Sequence, residues 1–201
     1  MFKIIFCFKI LLLLNSFLPS QNINFKGQFN TIFFTSNDVP NNWHTHESIL
    51  GYLPTLSLKK ETSTNKLFDF EWAYNLKRYY VGDSLYNNNE NNHRLWIRYS
   101  YDKIEARCGL QKIVFGPTQI LRPLSWFDTF DLKDPTGQTN GVEALRLRWF
   151  PSNNIGLSSW IINNKMDTLT FGGRGEFTTS LGDFGLTYHK DPSKSRQLIG
   201  Q

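Results

Sequence analysis

Cysteine occurs only twice in 201 residues, at Cys7 and Cys108. Cys7 lies in an N-terminal stretch that reads as a removable leader, so Cys108 is left alone and a disulfide-stapled scaffold is excluded. Its place in an alternating run makes Cys108 a small wall residue rather than a reactive thiol. Long apolar runs are missing as well: beyond the leader, nothing approaches the roughly eighteen residues that a membrane-spanning helix requires. Basic runs are missing too. Removing Lys3 and Lys9 with the leader takes the formal charge from +5 to +3, too weak and too scattered to bind a nucleic-acid backbone. No long stretch has helical periodicity and no unit repeats along the chain. If the chain enters a membrane, it does so as strands.

The leader covers residues 1–20. Lys3, the apolar stretch through Leu14 and the small Ser20 before Gln21 fit a secretory signal peptide cleaved after Ser20. Lys9 interrupts the apolar stretch and its length is too short to span a bilayer. Leu18 is a poor residue three positions before the cut, and an N-terminal anchor helix is the alternative.

What the chain has in abundance is alternation, rich in phenylalanine. In Phe68-Asp-Phe-Glu-Trp-Ala-Tyr-Asn-Leu76, Phe68, Phe70, Trp72, Tyr74 and Leu76 stand opposite Asp69, Glu71, Ala73 and Asn75, as strand geometry requires. Leu95, Ile97, Tyr99 and Tyr101 oppose Arg94, Trp96, Arg98 and Ser100. After a tight turn at Asp102-Lys103, Ile104, Ala106, Cys108 and Leu110 oppose Lys103, Glu105, Arg107 and Gln111. Leu145, Leu147 and Trp149 oppose Ala144, Arg146 and Arg148. Similar runs cover Ile23–Phe33, Ile49–Leu58, Ile155–Ile162, Leu169–Phe177 and Asp183–His189, giving about nine antiparallel strands joined by short and long connections in rough alternation. Pro54, which lacks a backbone donor, predicts a bulge or a short strand at its position. Asp83–Asn92 reads as a long hydrophilic loop, with Lys77-Arg-Tyr-Tyr80 at an interface.

One wall is apolar and heavily aromatic, and the other carries charges of both signs through the strand middles. An all-β chain of this kind is expected to form an antiparallel transmembrane β-barrel over residues 21–201, lodged in outer-membrane lipid. Seventeen phenylalanines in 201 residues suit lipid exposure better than a thin sandwich core. A barrel closes with an even number of strands, and outer-membrane proteins generally end on an aromatic residue in a final strand, which Gln201 is not. About nine strands therefore predict the N-terminal portion of a larger, incomplete barrel, with a miscounted strand as the alternative.

Residues 113–140 form a long connection whose Gly116-Pro117, Arg122-Pro123, Asp134-Pro135 and Thr136-Gly137 forbid a regular element. Leu121, Leu124, Trp126, Phe127 and Phe130 are too apolar for disorder, so the loop is expected to fold inward against the barrel wall. Its Asp128, Asp131 and Asp134, with Arg122 nearby, then face the inward Arg94, Arg98, Arg107, Arg146 and Arg148. Acid opposite base across a constriction sets up a transverse field that selects permeants. The plain alternative is mutual neutralisation inside the barrel.

Arg107, Gly109, Gln111 and Gly116 spell Arg-x-Gly-x-Gln-x-x-x-x-Gly, followed by Ser125-Trp-Phe-Asp-Thr-Phe-Asp131 and the Gly141-led strand. This segment, roughly Arg94 to Trp149, resembles that of the alginate-export-type porins and related porin-like families of Gram-negative outer membranes. The resemblance implies a passive diffusion channel in the cell outer membrane with no catalytic residues, and it implies no substrate; small polar or anionic solutes or sugars are expected from the facing charges alone, and no cofactor is expected. A homo-oligomer stays open.

Other motifs carry less. His44-Thr-His46-Glu47 offers two imidazoles but no third metal ligand at a diagnostic spacing, so a solvated loop is expected and no metal. Phe171-Gly-Gly-Arg-Gly-Glu176 neither follows a buried parallel strand nor opens a helix, and its glycines are better explained by bulky neighbours in a wall. No nucleophile motif occurs, which argues against a hydrolase. The rivals to a porin are a secreted β-sandwich that binds carbohydrate and a barrel that is structural and transports nothing.

Overall fold

The structure, a computed structural model, describes residues 21–37, 39–40, 43–63, 65–115, 127, 139–163, 168–190 and 198–200. The leader expected over residues 1–20 lies outside them. The described chain is all-β: β1 Gln21–Thr35, β2 His46–Ser63, β3 Lys66–Val81, β4 Ser84–Tyr101, β5 Ile104–Gln111, β6 Val142–Ser152, β7 Ile155–Asn163, β8 Leu169–Thr179, β9 Gly182–Lys190 and β10 Leu198–Gly200. All ten lie in one sheet in sequence order, each antiparallel to the next. The expected runs are all strands, and a three-residue tenth follows them. β1 and β10 each pair on one side only, so the sheet is open.

Two expectations fail. Asp83–Asn92 is not a loop: only Gly82 and Asp83 turn, and the asparagines are the first half of β4. Gly82 adopts φ 59°, which glycine tolerates, and the strand-forming Tyr74–Val81 then imposes its ladder on weak formers. Trp72 Nε1 donates to Asn92 Oδ1 at 3.0 Å, securing the join. Pro54 neither shortens β2 nor shifts its register: it lies opposite Gly27 of the edge strand β1, and the ladder to β3 resumes in phase from Tyr52–Leu76 to Thr55–Ala73. The bulge sits one pair further on, where His93 is the extra residue between Ala73–Arg94 and Tyr74–Asn92.

The tight turns at residues 65, 102–103, 153–154 and 180–181 all fall at one end of the sheet. Asn65 and Asp102 take the left-handed backbone there, at φ 72° and 48°, a conformation that Asn and Asp tolerate better than most residues. The longer connections leave from the other end, apart from the two-residue turn at Gly82.

Side chains divide as a two-residue period dictates. Ile97, Leu145, Leu147, Ile161, Phe171 and Leu186 are each between 43 % and 56 % exposed, and this face is apolar from β1 to β9. The opposite face is the buried one. Asp69, Arg94, Glu105, Gln111, Thr170, Thr187 and His189 are buried on it. Its small apolar core joins Ala144, Trp160 and Ile162 of the wall to Ile113 and Phe115, with Phe127 and Val142 packed alongside. Hydrophobic residues outside and charges inside reverse the arrangement of a soluble sheet.

Gly109 stands in β5 at φ 115°, and a Cβ there would lie 3.0 Å from Trp96 Cα and closer still to the Leu95 carbonyl oxygen. Gly109→Ala is therefore expected to cost about 1–3 kcal/mol in backbone strain, read as a lowered thermal unfolding midpoint. An unchanged midpoint would contradict the ladder geometry between β4 and β5.

Candidate functional site

Register assembles the buried charges into rows. Asp69, Arg98, Arg107, Arg146 and Trp160 are successive partners across β3 to β7. One row toward the tight turns, Ser100, Glu105, Arg148, Ser158, Arg174 and Thr187 cross β4 to β9. Three arginines side by side repel one another, so the neighbouring carboxylates decide whether the row holds. Glu105 reaches Arg98 Nη1 at 3.4 Å, Arg107 Nη2 at 3.7 Å and Arg148 Nη1 at 3.9 Å. Arg98 also grips Asp69, donating from Nε at 2.8 Å and from Nη2 to the same oxygen. The Arg107 guanidinium lies 4.4 Å from the centre of the Trp96 ring, a cation–π contact, while Trp96 Nε1 donates to Glu71 Oε1 at 3.2 Å. Arg146 Nε has no hydrogen-bond partner among the described residues.

Arg94 ties the 112–141 connection to the wall, and Gln111 joins the two strands that flank it. Arg94 Nη2 donates to the Thr139 carbonyl at 2.6 Å and its Nη1 to the His93 carbonyl at 2.6 Å. Gln111, fully buried, donates from Nε2 to the Ala144 carbonyl at 2.8 Å. The connection is thus fastened at Thr139 by a side chain from β4, and the strands on either side of it are held together by Gln111. Further along, Phe127 meets His189 edge to face at 4.7 Å and Trp160 at 5.7 Å, and Phe115 lies 5.0 Å from Trp160. Trp160 Nε1 donates to His189 Nδ1 at 3.3 Å. At Ile113, Phe115, Phe127 and Thr139 the connection lies on the charged face.

Of the residues expected at a constriction, Arg94, Arg98, Arg107, Arg146 and Arg148 all fall on the buried face. The first works as a loop tether, Arg98, Arg107 and Arg148 gather around Glu105, and Arg146 stands beside Arg107 in its row. Arg122, Asp128, Asp131 and Asp134 lie outside the described residues. Asp69 and Glu105 are the acids that neutralise the arginines here, and sequence reasoning missed their role. Alternation had put them on the right face, but only register shows which arginines they meet. The Trp160–His189 pair gave no signal in sequence, since the partners are far apart in the chain.

The lesser motifs resolve plainly. Among the described residues no three His, Cys, Asp or Glu side chains are grouped to hold a metal. The glycine-rich run is wall: a Cβ at Gly172 would lie 2.8 Å from the Trp160 ring. Compared with protein-family models, with curated proteins and with solved structures, the chain matches none. Its functional reading rests on its own residues.

Glu105→Gln should leave Arg107 and Arg148 without their carboxylate and Arg98 with Asp69 alone, and lower unfolding stability by about 3 kcal/mol, as expected for a buried pair losing one partner. Arg148→Ala, which removes only the longest contact, should cost less than half as much. Equal losses in chemical unfolding would mean that Glu105 is not the hub.

Proposed function

We propose that this sheet is part of the wall of an outer-membrane β-barrel whose charged face lines a water-filled pore, passing small polar or anionic solutes by passive diffusion. The single observation that carries the reading is the reversed polarity of the faces. A half-exposed Phe or Leu leaves on the order of 80 Å² of apolar surface uncovered. About ten such side chains already exceed the 300–600 Å² of the largest patch on a typical soluble monomer, and here they run from β1 to β9. Lipid is the solvent that makes such a face favourable, and water is the solvent that the arginine rows require.

Strand lengths support the same reading. β5 to β9 span 8 to 11 residues, close to the roughly 9–11 that a tilted strand needs to cross the hydrocarbon layer. Tight turns at one end and long connections at the other follow the habit of outer-membrane barrels. The free edges of β1 and β10 have to be paired for the backbone to be satisfied in lipid, and closure by further strands meets that need. A carbohydrate-binding sandwich would cover the apolar face with a second sheet, and the described residues form one sheet only. The 112–141 connection, fixed to the charged face by Arg94 and Phe127, narrows the pore.

The test is reconstitution into planar bilayers. Discrete conductance steps with anion preference are expected, and Arg107→Ala with Arg146→Ala should shift the reversal potential in a salt gradient toward cations. Protein that stays soluble and monodisperse without detergent, or a reversal potential unmoved by both changes, would overturn the proposal.

A further inference from the structure

The strands β1 to β4 are longer than the rest, at 15 to 18 residues, and overshoot at the end away from the tight turns. There the start of β2, the end of β3 and the start of β4 enclose an open cavity of about 580 Å³. Trp43, His44, Glu47, Tyr79, Tyr80 and Tyr86 line it. Trp43 and Tyr86 are the most exposed aromatic side chains of the described chain, at 73 % and 77 %. Neither exposure comes from the lipid-type alternation. Trp43 precedes β2, and Tyr86 is the extra residue of a bulge, lying between the pairs Tyr79–Asn87 and Tyr80–Leu85. Bulges re-aim side chains and recur beside binding sites.

The rim is held in place. Ser36 N donates to the Thr45 carbonyl at 2.9 Å, Trp43 N to the Pro40 carbonyl at 3.0 Å and Gly82 N to the His46 carbonyl at 2.9 Å. The His44 ring closes over Gly82, where a Cβ would lie 2.5 Å from Nδ1. Exposed aromatic rings on a fastened backbone lose little freedom when a ligand arrives. Glu47 and His44 are both exposed, so they offer an acceptor and an imidazole to hydroxyl groups. Asp83 stands 3.7 Å from His46 with its side chain fully exposed. The Glu47 carboxylate in the lining, with Asp83 beyond it near His46, disfavours an anionic ligand here.

We infer that this cavity is a binding site for a neutral saccharide, whose ring faces stack on Trp43 and Tyr86 while its hydroxyls bond to Glu47 and His44. The polarised C–H groups of a pyranose face meet the electron-rich face of an aromatic ring, and the equatorial hydroxyls stay at the wet edge. Aromatic walls with a few convergent polar groups are the usual make-up of such sites. A saccharide gathered at the loop end would raise its concentration at the mouth of the proposed pore. The site itself does not depend on conduction.

The test is calorimetric titration of the full chain in detergent with maltohexaose, cellohexaose and an oligogalacturonate. At least one neutral oligosaccharide should bind saturably, and Trp43→Ala and Tyr86→Ala should each weaken it about three- to tenfold. Both side chains are exposed, so the fold survives their loss. Binding without conductance would leave this inference standing and remove only the pore. Absence of saturable binding by any neutral oligosaccharide, affinity unchanged in both variants, or tighter binding of the oligogalacturonate would overturn it.

Discussion

Backbone pairing between adjacent antiparallel strands leaves each side chain only two directions, and this sheet keeps that division through nine long strands. A one-residue slip anywhere would send arginines to the apolar face and phenylalanines into the charge rows. The two bulges between β3 and β4, at His93 and Tyr86, fall toward the end of the sheet away from the tight turns, past the charge rows, and the shifts at Glu61–Ser63 and Trp149–Ser152 fall beside those turns. Between β4 and β6 the register is unbroken from Tyr101–Ile104–Trp149 up to Leu95–Leu110–Glu143. The charge cluster is built on that uninterrupted stretch. Arg98, Arg107 and Arg146 share a row only because their strands are in phase, and Glu105 meets three guanidinium groups only because it lies one row away.

Such a cluster is costly in a dry interior, where removing charged groups from water outweighs the attraction between them unless every bond is made. Here the bonds are incomplete: Asp69 Oδ1, Arg107 Nε and Arg146 Nε lack partners among the described residues. These atoms are also shielded from solvent, so the cluster is held by the carboxylates of Glu105 and Asp69 rather than by complete hydrogen bonding. The aromatic cluster at Trp160 and His189 is the dry patch of the same face, and it is where the long connection rests. Grip at one side and charge at the other give the proposed pore a fixed constriction beside an open, cationic wall.

Much of the fold could be read from the chain alone. Alternation identified nine strands with their faces, and the turn at Asp102-Lys103 stands as expected. The asparagine-rich start of β4 was illegible because weak strand formers pair only when a strong partner, here Tyr74–Val81, lies alongside. Pro54 misled for a related reason: next to an edge strand, a missing donor is absorbed without a shift. The site was half legible. Parity put every expected strand arginine on the buried face, yet the roles of Glu105, Asp69 and Trp96 depend on register between strands, which no single strand encodes. The apolar content of the connection predicted packing against the wall, and at Phe127 it meets His189 of the charged face.

The lone Cys108 of the sheet is exposed on the apolar face, one residue from Arg107 on the other. A nitroxide attached there, with Cys7 replaced by serine and the chain in liposomes, reports directly which solvent that face meets. Lipid burial predicts high accessibility to oxygen and low accessibility to a water-soluble nickel chelate. The opposite ranking is expected for a label at Arg107→Cys made with Cys108→Ser. If the label at Cys108 meets the nickel chelate as freely as the label at position 107, the apolar face is not in lipid and the barrel-wall account is wrong.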